Sequence, residues 1–358
     1  MLKVCYFATN MSLTRNEFLK NALINNGVQV AEIKIPEKSG HKFTWLIKSF
    51  VLLFFYTLKT DFDILLIGMG GYLFVFLGKL ICLIKSKPLV FDVFVSLFDT
   101  KVHDRKLVKQ GTFKSHLLRF FDKYTCLVSD IVLLDTNVHI DYFKKEYGLF
   151  NTKFKRVLIG SILYKNMHKK YGDEFTVLFF GNFIPLQGVE YIVEAAKELE
   201  GRCIFNMIGD GQTYNNCVNL SEDLSVTNIR FMGRKSHKET MRAMSQSDLG
   251  LGIFGNTAKA KRVIPHKAYE VIACHKPLLT GDSEALRELF SPGQDCLTCI
   301  MADGKSLAEV IKNIMDNPAM LRKISDEGYK TYNKYCTPEV IGADLKKSLL
   351  NLLTNQGK

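Results

Sequence analysis

The chain has 358 residues, 47% of them apolar, which is too long for one typical domain and rich enough for two cores, so a disordered chain is excluded. Its formal charge of +12 is unevenly spread: residues 1–170 hold 26 Lys/Arg against 13 Asp/Glu, and residues 171–358 hold 22 against 23. A basic half implies a polyanionic neighbour such as nucleic acid, an acidic lipid surface or a phosphorylated substrate. Nucleic acid is set aside, because the basic residues are dispersed and no stacking aromatic motif or recognition helix accompanies them.

In chain order, Leu2–Thr9 reads as a strand, too short for the apolar run of a signal peptide. The nine cysteines then fit a reduced, buried set in a cytoplasmic protein. A polar loop over Asn10–Thr14 leads to an amphipathic helix at Arg15–Asn26, which Asn26-Gly27 breaks before a strand at Val28–Ile33. Asp63–Gly68, Lys87–Val95 and Ile131–Asp135 read as further strands, the first ending in Gly68, Gly70 and Gly71. Between them lie two greasy stretches, Phe43–Leu58 and Tyr72–Ile84, both short of the roughly 20 apolar residues needed to span a bilayer. Each fits a core-packing crossover helix. The alternative is a peripheral contact of residues 42–59 with an anionic membrane, with Phe50 and Phe54 in the lipid and Lys42, Lys48 and Lys59 meeting headgroups.

The second half repeats the alternation. Strands are predicted at Thr176–Phe180, Arg202–Ile208, Ile229–Met232, Asp248–Ile253 and Pro277–Thr280, with helices at Tyr191–Leu199, His237–Ser245 and Pro265–Cys274. Gly181, Gly209, Gly233 and Gly281 follow strands, at the carboxyl edge where open α/β sheets bind ligands. A last amphipathic helix is expected at Pro338–Leu353, and a linker at Ile159–Gly172. The lone CxxC of Cys296 and Cys299 cannot close a four-ligand zinc site and reads as structural.

The run from Phe179 to Ala196 resembles the opening of the donor domain of family 4 retaining glycosyltransferases, as do Met207–Gly211 and Ile229–Gly233. The most specific segment is Arg262-Val-Ile-Pro-His-Lys-Ala-Tyr-Glu270, followed by Lys276-Pro277 and Thr280-Gly281-Asp282. The resemblance spans residues 175–335 and implies the α/β GT-B architecture, in which two Rossmann-like domains with parallel sheets face each other and a C-terminal helix returns to the first. The implied domains are an acceptor-side domain at 1–165, a nucleotide-sugar donor domain at 172–335 and a returning helix at 336–358.

The resemblance also implies the activity: transfer of a sugar, with retention and without a metal or cofactor, from a nucleotide-diphosphate donor to a glycan or lipid-linked acceptor in polysaccharide or glycolipid assembly. It places Gly181, Asn182, Gln187, Gly209, Gly233 and Arg234 around the donor, and with them Pro265, His266, Lys267 and Glu270. Pro265 suits a helix start, the helix N-terminus suits a diphosphate, and a carboxylate at Glu270 suits the ribose diol. Lys267 and Glu270, three apart, would otherwise make a helix-surface ion pair.

The chain departs from the family pattern in three places. Asn182 and Gln187 stand where an Arg and a Lys usually hold the diphosphate, and Arg262 replaces the first Glu of an E-x7-E pair. Lys259, Lys261 and Arg262 are therefore expected to meet the phosphates, the alternative being a solvated charged loop. On the acceptor side Phe94 occupies a place often held by His. Asp92 and Asp99 are the acidic catalytic candidates, with Arg262 beside them and His103 and Asp104 as further options. Asn10, Arg15 and Gly70 form the acceptor-side loops. Rival readings are a GT-B nucleotide-sugar epimerase and a non-catalytic nucleotide-sugar-binding partner subunit.

Overall fold

The computed structural model describes residues 1–35, 42–162 and 174–356. Most of the linker expected at Ile159–Gly172 lies outside the described residues, and so does the Lys42 side chain. The chain divides into two compact units. The first comprises residues 1–102, 106–159 and 338–358, and the second residues 103–105 and 160–337.

The first unit is built on six parallel strands: β1 (Lys3–Phe7), β2 (Gln29–Ile33), β3 (Ile64–Ile67), β4 (Leu89–Asp92), β5 (Ile131–Leu134) and β6 (Phe154–Arg156). Their order is β2-β1-β3-β4-β5-β6. The runs Ile-Leu-Leu-Ile in β3 and Ile-Val-Leu-Leu in β5 are wholly buried, as strands covered on both faces by helices must be. Thr112 and Thr136 start the helices Phe113–Val128 and Asn137–Tyr147 by accepting from the backbone N–H three residues on, and Gly148 ends the second in the left-handed conformation. The last helix, Pro338–Gln356, packs on Thr14–Asn25. Their approach is close enough that a Cβ on Gly342 would lie 2.2 Å from the Ala22 carbonyl oxygen, and Lys346 Nζ donates to the Asn26 carbonyl at 2.7 Å.

The greasy stretches become helices Lys42–Lys59 and Val75–Lys85, the latter led by a 3-10 turn at Tyr72–Phe74. Among the described residues no helix is long and apolar enough to cross a membrane. Phe50 and Phe54, which the membrane alternative put in the lipid, pack against the sheet core as a crossover helix requires, and the Phe50 ring lies 4.6 Å from that of Phe74.

The second unit carries β7 (Phe175–Phe180), β8 (Cys203–Ile208), β9 (Ile229–Phe231), β10 (Leu249–Leu251), β11 (Leu278–Gly281) and β12 (Leu297–Cys299). Read from the far edge, the all-parallel order is β9-β8-β7-β10-β11-β12, the doubly wound arrangement whose direction reverses between β7 and β10. All nine cysteines are free and buried, Cys299 within β12.

Three differences from the sequence reading have physical reasons. Strands β6 and β12 are three-residue edge strands, too short to show a period. The strand expected to run to Val95 stops at Asp92, because Phe94 takes a left-handed φ of 53° and turns the chain. Pro265 is the extended N-cap of helix His266–Ala273 and not its first turn.

Candidate functional site

In an open α/β sheet, ligands bind beyond the carboxyl ends of the strands where the winding reverses. In the second unit that point is flanked by the loops after β7 and β10, and their glycines allow backbone to meet backbone. A Cβ on Gly209 would fall 1.9 Å from the Gly181 carbonyl oxygen. One on Gly188, which has φ 62°, would fall 2.3 Å from the Gly255 amide nitrogen. Helix His266–Ala273 directs its N-terminus to the same edge, since it precedes β11.

Lys267 and Glu270 turn to different partners on this helix. Lys267, 5% exposed, donates from Nζ to Gln187 Oε1 at 2.5 Å and lies 3.6 Å from the centroid of the Phe179 ring. A Cβ on Gly181 would sit 3.1 Å from the same Nζ. The glycine thus leaves room for the ammonium where the chain leaves β7. Burial drives the Lys267 pKa well below its ordinary value, and the Glu270 charge only partly opposes it. The result is a desolvated basic side chain with Gln187 as hydrogen-bond partner and the Phe179 and Phe180 ring centroids 3.6 and 6.0 Å from its Nζ, held beside a helix N-terminus.

Glu270, 4% exposed, accepts from His237 Nε2 at 2.8 Å on one oxygen and meets His266 Nδ1 at 3.1 Å with the other. Burial would raise its pKa. The hydrogen bonds and charges of His237 and His266 outweigh burial and bring it to about 2. His237 is positioned by a capping box, in which Ser236 Oγ accepts from the Glu239 N–H and Glu239 returns a bond to the Ser236 N–H at 2.9 Å. Sequence reasoning missed His237. The period that predicts a helix at His237–Ser245 does not give the direction of its first side chain.

The remaining donor-side candidates are less enclosed. Asn182 is exposed, and Arg234, next to Gly233, makes an exposed 3.4 Å pair with Asp210. Lys259 is buried, Lys261 is exposed, and Arg262 is half-buried on the 3-10 turn Ala260–Arg262. The cation standing where the chain leaves β7 is Lys267, which occupies the space a longer side chain at 181 would fill.

The first unit reverses its winding between β1 and β3, and there Asn10, Arg15 and Gly70 lie close in the fold. Buried Asn16 ties the two loops together. Its Nδ2 donates to the Asn10 and Met69 carbonyls at 2.8 and 3.2 Å, and its Oδ1 accepts from the Met69 N–H at 2.9 Å. Gly70 has φ 89°, and a Cβ on it would press on Thr9 Oγ1 at 2.8 Å.

Two expectations here are corrected. Asp92 is fully buried, with its oxygens on Arg15 Nε and Nη2 at 3.0 and 3.2 Å, so it does not present a carboxylate to a substrate. Arg15 in turn spends Nη1 on the Val157 and Leu158 carbonyls and lies 5.3 Å from the Phe94 ring, so it anchors the loops and is not an open acceptor contact. Asp99 is buried at the start of the turn Asp99–Asp104, and its N–H donates to Ser96 Oγ at 2.9 Å. That segment is fixed by Asp122, a residue the sequence did not single out, which accepts from the Leu97 and Phe98 N–H groups at 2.8 Å each. Among the described residues, no three His, Cys, Asp or Glu side chains converge as metal ligands.

Residues 162–331 match the family model for glycosyl transferases group 1. An uncharacterized glycosyltransferase of Methanocaldococcus jannaschii is 25% identical over 61% of this chain and 58% of its own length. A lipopolysaccharide core biosynthesis glycosyltransferase of Rhizobium meliloti, LpsD, is 22% identical over 44% of each chain. The chain thus spans between about two-fifths and three-fifths of these relatives. Among solved structures, sucrose-phosphate synthase from Thermosynechococcus elongatus superposes with a TM-score of 0.77 at 14% identity, covering 99% of this chain and 100% of that one. HepE of Anabaena in complex with UDP-glucose gives 0.72 at 13% identity, over 98% and 100%. The two doubly wound sheets therefore have the GT-B fold, and residues 162–331 are similar to the glycosyl transferases group 1 family.

Proposed function

We propose that the chain is a glycosyltransferase that takes a sugar from a nucleotide-diphosphate donor, with retention and without a metal, and passes it to a glycan or lipid-linked acceptor. The observation that carries this reading is the pairing on one short helix of a desolvated Lys267 ammonium beside Gly181 with an ionised Glu270 one turn later. A diphosphate at the helix N-terminus gives Lys267 the counter-charge its burial lacks. The Glu270 carboxylate then accepts from the ribose hydroxyls, sharing its oxygens with His237 and His266.

The leaving diphosphate gains negative charge as the bond from the anomeric carbon to the phosphate oxygen breaks. The Lys267 ammonium and the helix dipole stabilise that charge where it develops. For retention, the acceptor oxygen attacks the same face of the sugar and passes its proton to the departing phosphate oxygen. Lys259, Lys261 and Arg262 remain proposed phosphate contacts, Asp99 a proposed acceptor-side group, and Asn10 and Gly70 proposed acceptor-side loop positions. The likeness of part of this chain to a lipopolysaccharide core enzyme supports cell-surface glycan or glycolipid assembly as the setting.

The test is a thermal-shift and calorimetric screen of UDP, GDP, ADP and their sugars, followed by transfer assays on lipid and glycan acceptors. Binding at one hundred times Kd adds about 2.7 kcal/mol to stability. Failure of every nucleotide diphosphate to bind refutes the reading. The loss of the usual cations at Asn182 and Gln187 favours a non-catalytic nucleotide-sugar-binding partner as the second reading. Binding with no turnover on any acceptor would support it.

A further inference from the structure

Helices Lys42–Lys59, Val75–Lys85 and Phe113–Val128 lie side by side in the first unit. Lys85 Nζ joins the first two through the Thr57 carbonyl at 2.9 Å, and the Phe76 and Phe120 rings join the last two at 6.2 Å. Each helix already buries one apolar side in the core, through Leu53, Ile81 and Cys126 among others.

Each also carries a second apolar side that is exposed among the described residues. On the first helix Phe43, Ile47, Val51, Phe55 and Leu58 recur at intervals of four, four, four and three residues, and all are exposed. On the third, Phe113, Leu117, Phe120, Tyr124 and Leu127 recur at four, three, four and three, also exposed. Leu80, Leu83 and Ile84 of the middle helix are exposed as well. A helix that is apolar on its solvent side as well as its core side is partnered on both, and exposed apolar patches of this kind mark interaction surfaces.

The charges on the same helices identify the partner. The three carry three, two and three Lys or Arg, and their single acid, Asp122, is buried. Lys79 pairs with Asp130 and Lys85 caps carbonyls, whereas Lys48, Lys59 and Lys114 are exposed. A second copy of the chain on this face would set lysines against lysines, while an anionic lipid surface meets both the cations and the apolar stripes.

We infer that this three-helix face docks on the surface of an anionic bilayer, lying on it and not crossing it. The inference rests on the first unit alone and stands or falls separately from the transferase reading. If both hold, the site works beside the membrane that supplies a lipid-linked acceptor.

The test is co-sedimentation of the full chain with phosphatidylcholine vesicles, with and without phosphatidylglycerol as about a third of the lipid. Wild type should bind the anionic vesicles, and raised salt should weaken the binding. Ile47→Ser with Phe113→Ser should lower the partition coefficient at least tenfold. Lys48→Glu with Lys114→Glu should lower it by about fivefold or more for each residue, and circular dichroism and Tm should match wild type in both variants because all four side chains are exposed. Wild type that stays in the supernatant overturns the proposal, and so do folded variants that bind as wild type does. A wild-type dimer that the serine variant breaks, without vesicle binding, assigns the face to self-association and overturns it too.

Discussion

Replacing Glu270 by Gln keeps the shape of the side chain and removes its charge. In the folded chain the carboxyl has a pKa of about 2 against 4.5 for the free group, and at 1.36 kcal/mol per pKa unit that difference corresponds to roughly 3 kcal/mol of stability at neutral pH. His237, which supplies part of it, is more than half exposed. Solvent screening therefore brings the expected loss in the variant nearer to about 2 kcal/mol. The sign follows from the depressed pKa: the contribution is complete above pH 4.5 and lost as pH falls toward 2. Urea unfolding of wild type and Glu270→Gln at pH 7, 5 and 3.5 measures it. The two should differ most at pH 7 and 5, and the gap should contract by roughly 1 kcal/mol at pH 3.5. A gap that does not change with pH, or a variant as stable as wild type at pH 7, would refute the account of Glu270 as a carboxylate held ionised by two histidines.

Lys267→Met should raise the Tm of the unliganded protein, because a lysine whose folded pKa is depressed costs stability at neutral pH. The same change should weaken UDP or GDP binding about 10- to 100-fold by calorimetry, the worth of one hydrogen bond to a charged group. Gly209→Ala should lose more than about 3 kcal/mol or fail to accumulate as soluble protein, since its φ is 141° and the new methyl would overlap the Gly181 carbonyl. Asp92→Asn should cost about 3–5 kcal/mol in chemical denaturation by stranding Arg15. If instead it abolished transfer with unchanged stability, Asp92 would be a catalytic group after all.

Much of the scaffold was legible because its strands are continuous apolar runs and its helices are periodic. The glycines after β7 and β8 could be located from sequence, since close backbone approach at a sheet's carboxyl edge requires them. What was hidden depended on side-chain direction. Nothing in the spacing of Lys267 and Glu270 says that the lysine turns to Gln187 while the glutamate turns to His237, 33 residues earlier. Asp92 and Arg15 are 77 positions apart, and only the register of β1 beside β3 and β3 beside β4 brings them together. Phe50 and Phe54 looked equivalent to Phe43 and Phe55 as greasy residues, and only the packed helix separates its core side from its outer side.

The helix Pro338–Gln356 bears on how the chain is made. The second unit occupies a nearly unbroken stretch of sequence, whereas the first needs a helix encoded after it. On a ribosome, where polypeptide emerges from its N-terminus, the later unit can complete its core while the earlier one still exposes the groove along Thr14–Asn25. The usual order of maturation is thereby inverted, and a released chain truncated after Thr337 should show a protease-resistant second unit joined to a first unit that is still open to digestion.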